Sequence, residues 1–460
     1  MDDRYPHLPT FERKMKSHGL APVVVETFAH YYRQIVDGET GVIPDEAIRP
    51  LEQGEVIAGE DLDRWSEAGK RVRDRAVRIT LNGGLGTSMG LTGPKSLLEV
   101  KDGMTFLDII LRQSGVEGVR QVFMNSFSTD VDTRRAVDRL ATSPPPDYFI
   151  QNKFPKILHD GFAPATWPED PEKEWNPPGH GDLYTAIHAT GTLDRLLDQG
   201  VRYAFIHNSD NLGATLDPSL LGFFAENRLP FMMEAARRNP ADFKGGHLAV
   251  RRSDGQLLLR ESAQCPPGTK GTDVNYYRYF NTNNLWIDLN RLKSLIMNEK
   301  TIQLPLIVNP KTLDPRDGNS PRVLQVETAV GAAIELFKGA RAVVVPRGRF
   351  FPVKKCNDLL LIRSDRYRLT PDHRVESCDS AAEEPPCIEL DSDYYGRIDR
   401  FDDRFPAGAP SLKACQRLTI HGDIRFGADI QISGEVKLTN RSGAQVSIPD
   451  GTRIERDMEW

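Results

Sequence analysis

Apolar and polar positions fall into blocks along the chain, and the period of the blocks changes. Over 22–35 the apolar residues Val25, Phe28, Tyr31, Tyr32 and Ile35 recur at three- and four-residue steps, the period of a helix. Pro22 suits its first turn and Asp37-Gly38 stops it. The rest of the first seventy residues reads as helical too, with Asp and Arg dominating 61–75. From 76 the pattern alternates. A largely apolar run over 76–81 predicts a strand. Thr105-x-x-Asp108 has the form of a capping box and opens a helix through Phe106, Ile109 and Ile110 that runs to Gly115. A strand follows over 121–124, then a charged amphipathic helix over 129–140. A proline run at 144–146 leads to a short strand over 148–150, which delivers Gln151 at its end.

Beyond this come a helix over 183–197, a strand over 203–207 and a helix opened by Asp217-Pro218. Strands are expected over 231–235, 248–251, 257–261, 276–280 and 341–345, with a short apolar run over 285–287. The spacing of Val330, Ala333, Ile334 and Phe337 predicts a helix over 326–337. The alternation is that of an α/β protein with helices on both faces of a parallel sheet. In such sheets ligands bind at the carboxyl ends of the strands. After 370 the texture changes. Residues 372–386 are acidic and linker-like. From Leu418 glycines and aliphatics recur every five or six residues, a weak repeat of the parallel β-helix kind that often serves assembly. The expected organisation is a helical segment over 1–75, an α/β domain over 76–370 and a small β-solenoid over 371–460.

Composition narrows the class. A chain of 460 residues is long enough for two or three domains. Its net charge of −6 is spread out, with no basic stripe for nucleic acid and no polybasic cluster for a membrane surface. No apolar run approaches the roughly 20 residues of a membrane span. The polar start Met1-Asp2-Asp3-Arg4 lacks the core of a signal peptide. The five cysteines, Cys265, Cys356, Cys378, Cys387 and Cys415, form neither a CxxC pair nor a disulfide framework, as expected for reduced thiols in the cytoplasm.

The candidate chemistry centres on Leu81-Asn82-Gly83-Gly84-Leu85-Gly86-Thr87-Ser88-Met89-Gly90, with Gly93-Pro94-Lys95-Ser96 just beyond. Glycine lets the backbone approach a ligand closely, and consecutive N–H groups in such a loop make a concave cradle for phosphate. Lys95 adds a full positive charge. The order of residues rules out a P-loop, because Pro94 stands where that motif needs Gly. It is a poor dinucleotide fingerprint too, since the third Gly is missing and Pro94 would break the helix that should follow. Alone, the loop is equally compatible with a structural turn.

Five further stretches point the same way. Asn176-Pro177-Pro178-Gly179-His180-Gly181-Asp182 precedes a helix whose N-terminus favours anions, so His180 is either held at an anion site or incidental to a cap. Asn208-Ser209-Asp210-Asn211 follows a strand directly. Asp210 there is either a turn cap or the carboxylate that Mg²⁺ takes alongside phosphate oxygens. Lys244-Gly245-Gly246 exposes backbone, and Asn281-Thr282-Asn283-Asn284 is either a turn or a set of amides that suits sugar hydroxyls. Arg347, Arg349, Lys354 and Lys355, interleaved with Phe350, Phe351 and Val353, are expected to put some of their charge into a cleft.

Taken together, these stretches resemble the eukaryotic-type UTP–glucose-1-phosphate uridylyltransferase family. The matching pieces run in order: the glycine loop with Lys95, the Pro177 to Asp182 loop, Asn208 to Ala214, Phe280 to Trp286, Glu327-Thr328-Ala329, and Phe351-Pro352-Val353-Lys354 leading to Asp358-Leu359-Leu360. The resemblance implies a Rossmann-like, GT-A-like nucleotidyltransferase with a mixed sheet and a C-terminal left-handed parallel β-helix. It implies that Leu81, Asn82, Gly83, Gly84 and Lys95 hold the UTP phosphates, and that Gln151 and Gly179 read the uracil. His180 would contact the sugar phosphate. Asn208, Ser209 and Asp210 would lie beside the nucleotide and Mg²⁺, the expected cofactor. Gly246, Glu261 and Asn283 would meet the hexose, and Lys354 would bridge the phosphates from the far side. The chain departs from the family at Lys355-Cys356-Asn357, where small hydroxyl residues are usual.

The reaction implied is attack of glucose-1-phosphate on the α-phosphorus of UTP. A phosphate dianion needs no general base, in keeping with the lack of a Ser/His/Asp or Cys/His arrangement. Two other readings are an N-acetylhexosamine or broad-range UDP-sugar pyrophosphorylase and a UDP-sugar-binding protein without turnover. The expected partners are the two small substrates, with no nucleic acid or membrane, and self-association through the C-terminal β-helix.

Overall fold

The computed structural model describes residues 4–52, 54–140, 142–238, 245–299, 301–315, 317–378 and 385–460. One eleven-stranded mixed sheet dominates it. Its strands are β1 (Ile48–Arg49), β2 (Ile57–Ala58), β3 (Ala76–Asn82), β4 (Arg120–Asn125), β5 (Asp147–Ile150) and β6 (Tyr203–Asn208), followed by β7 (Phe231–Arg237), β8 (His247–Arg251), β9 (Leu257–Arg260), β10 (Tyr279–Asp288) and β11 (Arg341–Val344). The main path runs β2-β11-β7-β10-β6-β3-β4-β5, with β8 joining β10 and carrying β9 and β1. Strands β6, β3, β4 and β5 are mutually parallel. β10 is antiparallel to both β6 and β7, so the sheet is mixed, as the family resemblance implies, where the alternation of strands and helices alone suggested a parallel one.

Register explains where the chemistry collects. Leu81 pairs with Asn208, Asn82 with Asn125, and Asn125 with Ile150. Four parallel strands therefore stop on one line, and their following loops share one edge of the sheet. Ile206 pairs with Leu285, so the amide-rich first half of antiparallel β10 runs past the same edge.

All seven residues of β3 are buried, as expected for a strand covered on both faces. Val77, Ile79 and Leu81 join one core with Ile206, Met233 and Leu285. Ala76 joins a second core with Phe205, Met232 and Trp286. Arg78 interrupts the second face. It is fully buried and donates to His207 Nε2 at 2.8 Å, Gln113 Oε1 at 2.9 Å and the Ala214 carbonyl at 2.7 Å, with Glu117 at 3.4 Å. A charge so placed is tolerable only because every side of it is met.

Local signals formed the elements they predicted. The capping box is present, with Asp108 N–H donating to Thr105 Oγ1 at 3.1 Å, and the helix Phe106–Glu117 ends on left-handed Gly118. Pro22–Val36 is helical, as is Asp130–Leu140. Two helices differ from expectation. The one over 183–197 is split into Leu183–Ala189 and Thr192–Asp198 by Gly191, which is left-handed at φ +68°. The segment 326–337 is the end of a strand, Arg322–Glu327, followed by a 3₁₀ turn, Val330–Glu335. Its first amides are taken elsewhere: Thr328 N–H donates to the Pro178 carbonyl and Val330 N–H to His180 Nδ1. The amide cluster is not a loop between two strands but the interior of β10, with a register shift opposite Glu234/Ala235.

The first seventy-five residues are less uniformly helical than expected. Leu8–Ser17 and Pro22–Val36 pack Phe11, Phe28 and Tyr32 against Phe154 and Trp175. The same segment also supplies β1 and β2, pairing with β8 and β11. Its last helix, Ser66–Val72, crosses Pro218–Glu226 backbone to backbone. A Cβ on Gly69 would stand 1.8 Å from the Pro218 carbonyl oxygen, and one on Gly222 2.0 Å from that of Trp65. Beyond 370, Val375–Ser377 pairs with Tyr367–Leu369, while 379–384 of the linker-like stretch lies outside the described residues. The last seventy-odd residues form three small sheets whose pairs are all parallel, such as Cys415–His421 with Gly434–Thr439 and Ile424–Phe426 with Val446–Ile448. Leu418, Ile424, Ile432 and Ile454 share one core with Phe106, Ile110 and Leu359.

The glycine crossing gives the first prediction. Gly222→Ala must push the two helices apart, and equilibrium unfolding in urea should show a loss of about 1–3 kcal/mol. Unchanged stability would mean the helices separate freely.

Candidate active site

The glycine loop leaves β3 with Gly86 and Gly90 both left-handed, at φ +63° and +74°. It is drawn back on itself by the Lys95 N–H, which donates to the Gly84 carbonyl at 3.0 Å. Thr129 Oγ1 holds the Asn82 carbonyl at 2.8 Å and Ser126 Oγ the Gly83 carbonyl at 3.0 Å. The loop's carbonyls are thus turned into the protein. On the neighbouring strand, Ser209 N–H donates to the Leu81 carbonyl at 3.1 Å, which fixes Asn208-Ser209-Asp210 beside the loop.

Lys95 and Lys354 both reach Asp210. Their ammonium groups lie 2.7 and 3.0 Å from the same oxygen, Oδ2. Asp210 and Lys95 are buried, while Lys354 is 55% exposed in its side chain. Burial alone would raise the Asp210 carboxyl, but Lys354 and Lys95 outweigh it and hold it at about 2. Oδ1 of the same carboxylate is buried without a hydrogen-bond partner.

Lys354 stands at the end of a stitched segment. Its loop is bound to the Asp210 loop by the Val353 N–H to the Asp210 carbonyl (3.1 Å), the Phe351 N–H to Asn211 Oδ1 (2.8 Å) and a bridge between Asn211 and Pro352. At its root Arg349, another member of the basic cluster, lies inside the protein. It grips Glu234 with two bonds of 2.7 and 2.8 Å. Glu234 has no exposed surface and also accepts from Trp286 Nε1 at 2.9 Å and Asn284 Nδ2 at 3.1 Å. The Arg349 carbonyl in turn accepts from Asn211 and Asn284 amides at 3.1 and 3.2 Å. None of these supporting roles was legible beforehand, although a lone Glu inside the apolar run Phe231-Met232-Met233-Glu234-Ala235 is itself a signal of a buried partner.

The remaining candidates form two flanks. On one, Gln151 lies directly over Gly83: a Cβ there would be 3.1 Å from either atom of its amide. Gly179, at φ +76°, packs so tightly on residue 328 that a Cβ would meet the Thr328 carbonyl oxygen at 2.5 Å. His180 Nδ1 accepts from the Val330 N–H at 2.8 Å, which leaves the ring's hydrogen on Nε2. Burial and the Lys354 charge push this imidazole down to about 4, so it is a neutral donor at physiological pH. On the other flank, Gly246 receives the Asn281 N–H on its carbonyl at 2.9 Å and abuts Glu261, whose carboxylate would be 2.8 Å from a Cβ. Burial raises Glu261 to about 7. Asn283 is left-handed at φ +58° in the bulge of β10, its amide oxygen bound to Asn281 Nδ2 at 2.6 Å. The flanks meet where Gly331, next to Val330, approaches Asn281. Of the Lys244-Gly245-Gly246 stretch, Lys244 lies outside the described residues.

Two cations sharing one carboxylate over a phosphate-type loop, with a neutral imidazole alongside, form a place for bringing two anions together. The molecule is a nucleotidyltransferase. A family model described as UTP–glucose-1-phosphate uridylyltransferase matches residues 25–433, and the chain belongs to that family. It is 40% identical over 412 residues to the UTP–glucose-1-phosphate uridylyltransferase of Saccharomyces cerevisiae, covering 87% of this chain and 81% of that one. The barley (Hordeum vulgare) protein of the same name is 38% identical over 408 residues, covering 86% and 83%. A mutant UDP-glucose pyrophosphorylase from Leishmania major, solved in complex with UDP-glucose, superposes with a TM-score of 0.92 at 40% identity, covering 99% of each chain.

The His180 geometry carries a pH prediction. Unfolded, its imidazole protonates near 6.5, whereas in the fold it resists until about 4. The unfolded chain therefore binds more protons in that window, and His180 should cost the protein stability as pH falls from about 6.5 toward 4. Ring ¹⁵N spectra should keep His180 as the neutral Nε2–H tautomer from pH 8 down to about 5. A midpoint near 6.5 would contradict the burial described.

Proposed function

We propose that the protein transfers the uridylyl group of UTP to glucose-1-phosphate, forming UDP-glucose and pyrophosphate. The observation that carries this reading is the convergence of Lys95 and Lys354 on Asp210 beside the glycine loop. Membership of the family supports the choice of substrates. A phosphate oxygen of the sugar phosphate attacks the α-phosphorus in line. The new P–O bond forms as the bond to the bridging oxygen breaks, and pyrophosphate carries away the electron pair. The attacking group is already ionised, so the protein's task is to position two anions and offset their charge.

In this reading Leu81, Asn82, Gly83 and Gly84 cradle the triphosphate with Lys95, and Lys354 reaches it from the opposite side. Gln151 and Gly179 read the uracil, and Asn208, Ser209 and Asp210 lie beside the nucleotide. His180 donates from Nε2 to the sugar phosphate without adding charge. Gly246, Glu261 and Asn283 face the hexose hydroxyls.

We also assign Mg²⁺ to Asp210. Its Oδ1 is a buried acceptor with no protein partner, which suits a hard cation. Among the described residues there is no cluster of three or more His, Cys, Asp or Glu able to hold a metal, so the remaining ligands would be phosphate oxygens and water. Bound there, the ion would neutralise phosphate charge. We further read residues 76–370 as the catalytic domain and 371–460 as a domain built on a left-handed β-helix. The edge strand Met458–Glu459 supports self-association through that domain. Five free thiols support a reducing, cytoplasmic setting. No helix among the described residues is long and apolar enough to cross a membrane.

The deciding experiment is pyrophosphate release from UTP across a panel of sugar phosphates. Turnover with glucose-1-phosphate preferred over N-acetylhexosamine-1-phosphates is expected, and no release with any of them would leave only a UDP-sugar-binding protein. Lys95→Ala and Lys354→Ala should each lower kcat by roughly 10²–10³, the usual effect of removing one group that stabilises transition-state charge. Asp210→Ala should remove the response of the rate to Mg²⁺, and a wild-type Mg²⁺ titration in that variant would take the metal away from this residue.

A further inference from the structure

We propose that Asp182 is a positioning residue for nucleobase selection, its carboxylate setting Gln151 at one fixed distance and orientation from Gly179. The inference rests on the reading of Gln151 and Gly179 as the groups that face the uracil.

Asp182 stands immediately before the helix Leu183–Ala189, where a carboxylate ordinarily caps its own helix, yet its side chain makes no cap bond. It is 4% exposed and turns to another element instead. Oδ2 accepts the Asn152 backbone N–H, and the Asn152 side-chain amide lies 2.8 Å from Oδ1 and 3.1 Å from Oδ2. Asn152 directly follows Gln151, whose own N–H is bound to the Asn125 carbonyl at 2.8 Å and whose amide rests on Gly83. Gln151 thus belongs to the frame of the sheet. Gly179 belongs to a second frame, the 177–182 loop. That loop is clamped to the Thr328 segment by the Gly181 N–H to the Thr328 carbonyl (2.9 Å) and the Thr328 N–H to the Pro178 carbonyl (2.9 Å). The Asp182–Asn152 pair ties the two frames together.

The tie matters because of what uracil and cytosine present. Uracil offers an N–H at N3 and an oxygen at C4; cytosine offers a bare N3 and an amino group. A carboxamide carries both a donor and an acceptor and satisfies either base by turning over. A glutamine therefore discriminates only if the backbone that carries it is held in one place relative to its partner on the other side of the base. Asp182 supplies that restraint without touching the nucleotide.

The test measures kcat and KM with UTP and CTP. Asp182→Asn keeps the shape but sets an NH₂ against the Asn152 donors. Loss of a buried hydrogen bond should cut the UTP-over-CTP ratio of kcat/KM by about tenfold, chiefly through a higher KM for UTP. The KM for glucose-1-phosphate and kcat with UTP should stay within about twofold. Asn152→Ala, which removes the side-chain donor alone, should move the ratio the same way by less, and the double variant should be less than additive. It also carries the test if Asp182→Asn fails to fold. Gln151→Ala separates the two layers. If it collapses the ratio while folded Asp182→Asn or Asn152→Ala leaves it intact, the base reading stands and the positioning role of Asp182 falls. If Gln151→Ala itself leaves the ratio unchanged, the base reading fails and the proposal with it.

Discussion

A single carboxylate with no exposed surface, Glu234, organises the cationic side of the cleft. Burying a charge is costly unless it is paired and fully hydrogen-bonded, and removing one partner of such a pair typically costs about 3–5 kcal/mol. Glu234 meets the requirement with four bonds, two from Arg349 and one each from Trp286 and Asn284. Satisfying Glu234 pins Arg349, and the carbonyl of Arg349 takes the amides of Asn211 and Asn284. Asn211 then takes the Phe351 N–H, and the Asp210 carbonyl takes that of Val353. Lys354 arrives at Asp210 as the last link of this series. The position of an exposed lysine in a loop is set by a buried acid on β7.

The anionic counterpart is simpler. Asp210 holds two ammonium groups on one oxygen, leaving the three side chains with a net charge of about +1 (two lysines less one carboxylate). The neutral state of His180 keeps that sum from rising, since its ring spends its acceptor on Val330 and keeps only a donor for the cleft. Charge here is thus concentrated on Lys95, Lys354 and Asp210, while the neighbouring His180 stays neutral.

Elements carried by contacts within ten or so residues were legible in the chain. The capping box at Thr105, Pro22 at the start of its helix and the strand over 76–81 each state their structure locally. What was not legible depends on distant partners. The stripe over 326–337 has helical spacing, but its backbone donors are claimed by Pro178 and His180, about 150 residues away. The position of β10 between β6 and β7, which turns a parallel sheet into a mixed one, has no local signature. Two-residue strands such as β1 and β2 are too short to show any period. The site divides the same way. The residues with distinctive chemistry, Lys95, Asp210, Lys354 and His180, could be picked out, and three of them are in direct contact. Asn211, Asn152 and Asp182 looked like ordinary polar positions, because their importance lies in whom they hold.

The first seventy-five residues carry no candidate site residue, yet they are sewn into the sheet. β2 closes the free side of β11, β1 extends β8, and the glycine crossing locks Ser66–Val72 onto the helix that follows the Asp210 loop. The segment is therefore not an appendage that could be trimmed to leave a minimal enzyme. A chain begun at the glycine-loop strand would expose two hydrogen-bonding strand edges and the bare flank of Pro218–Glu226, and would present these surfaces to other chains as invitations to aggregate. For anyone seeking a shorter version of this protein, the N-terminus is the wrong place to cut.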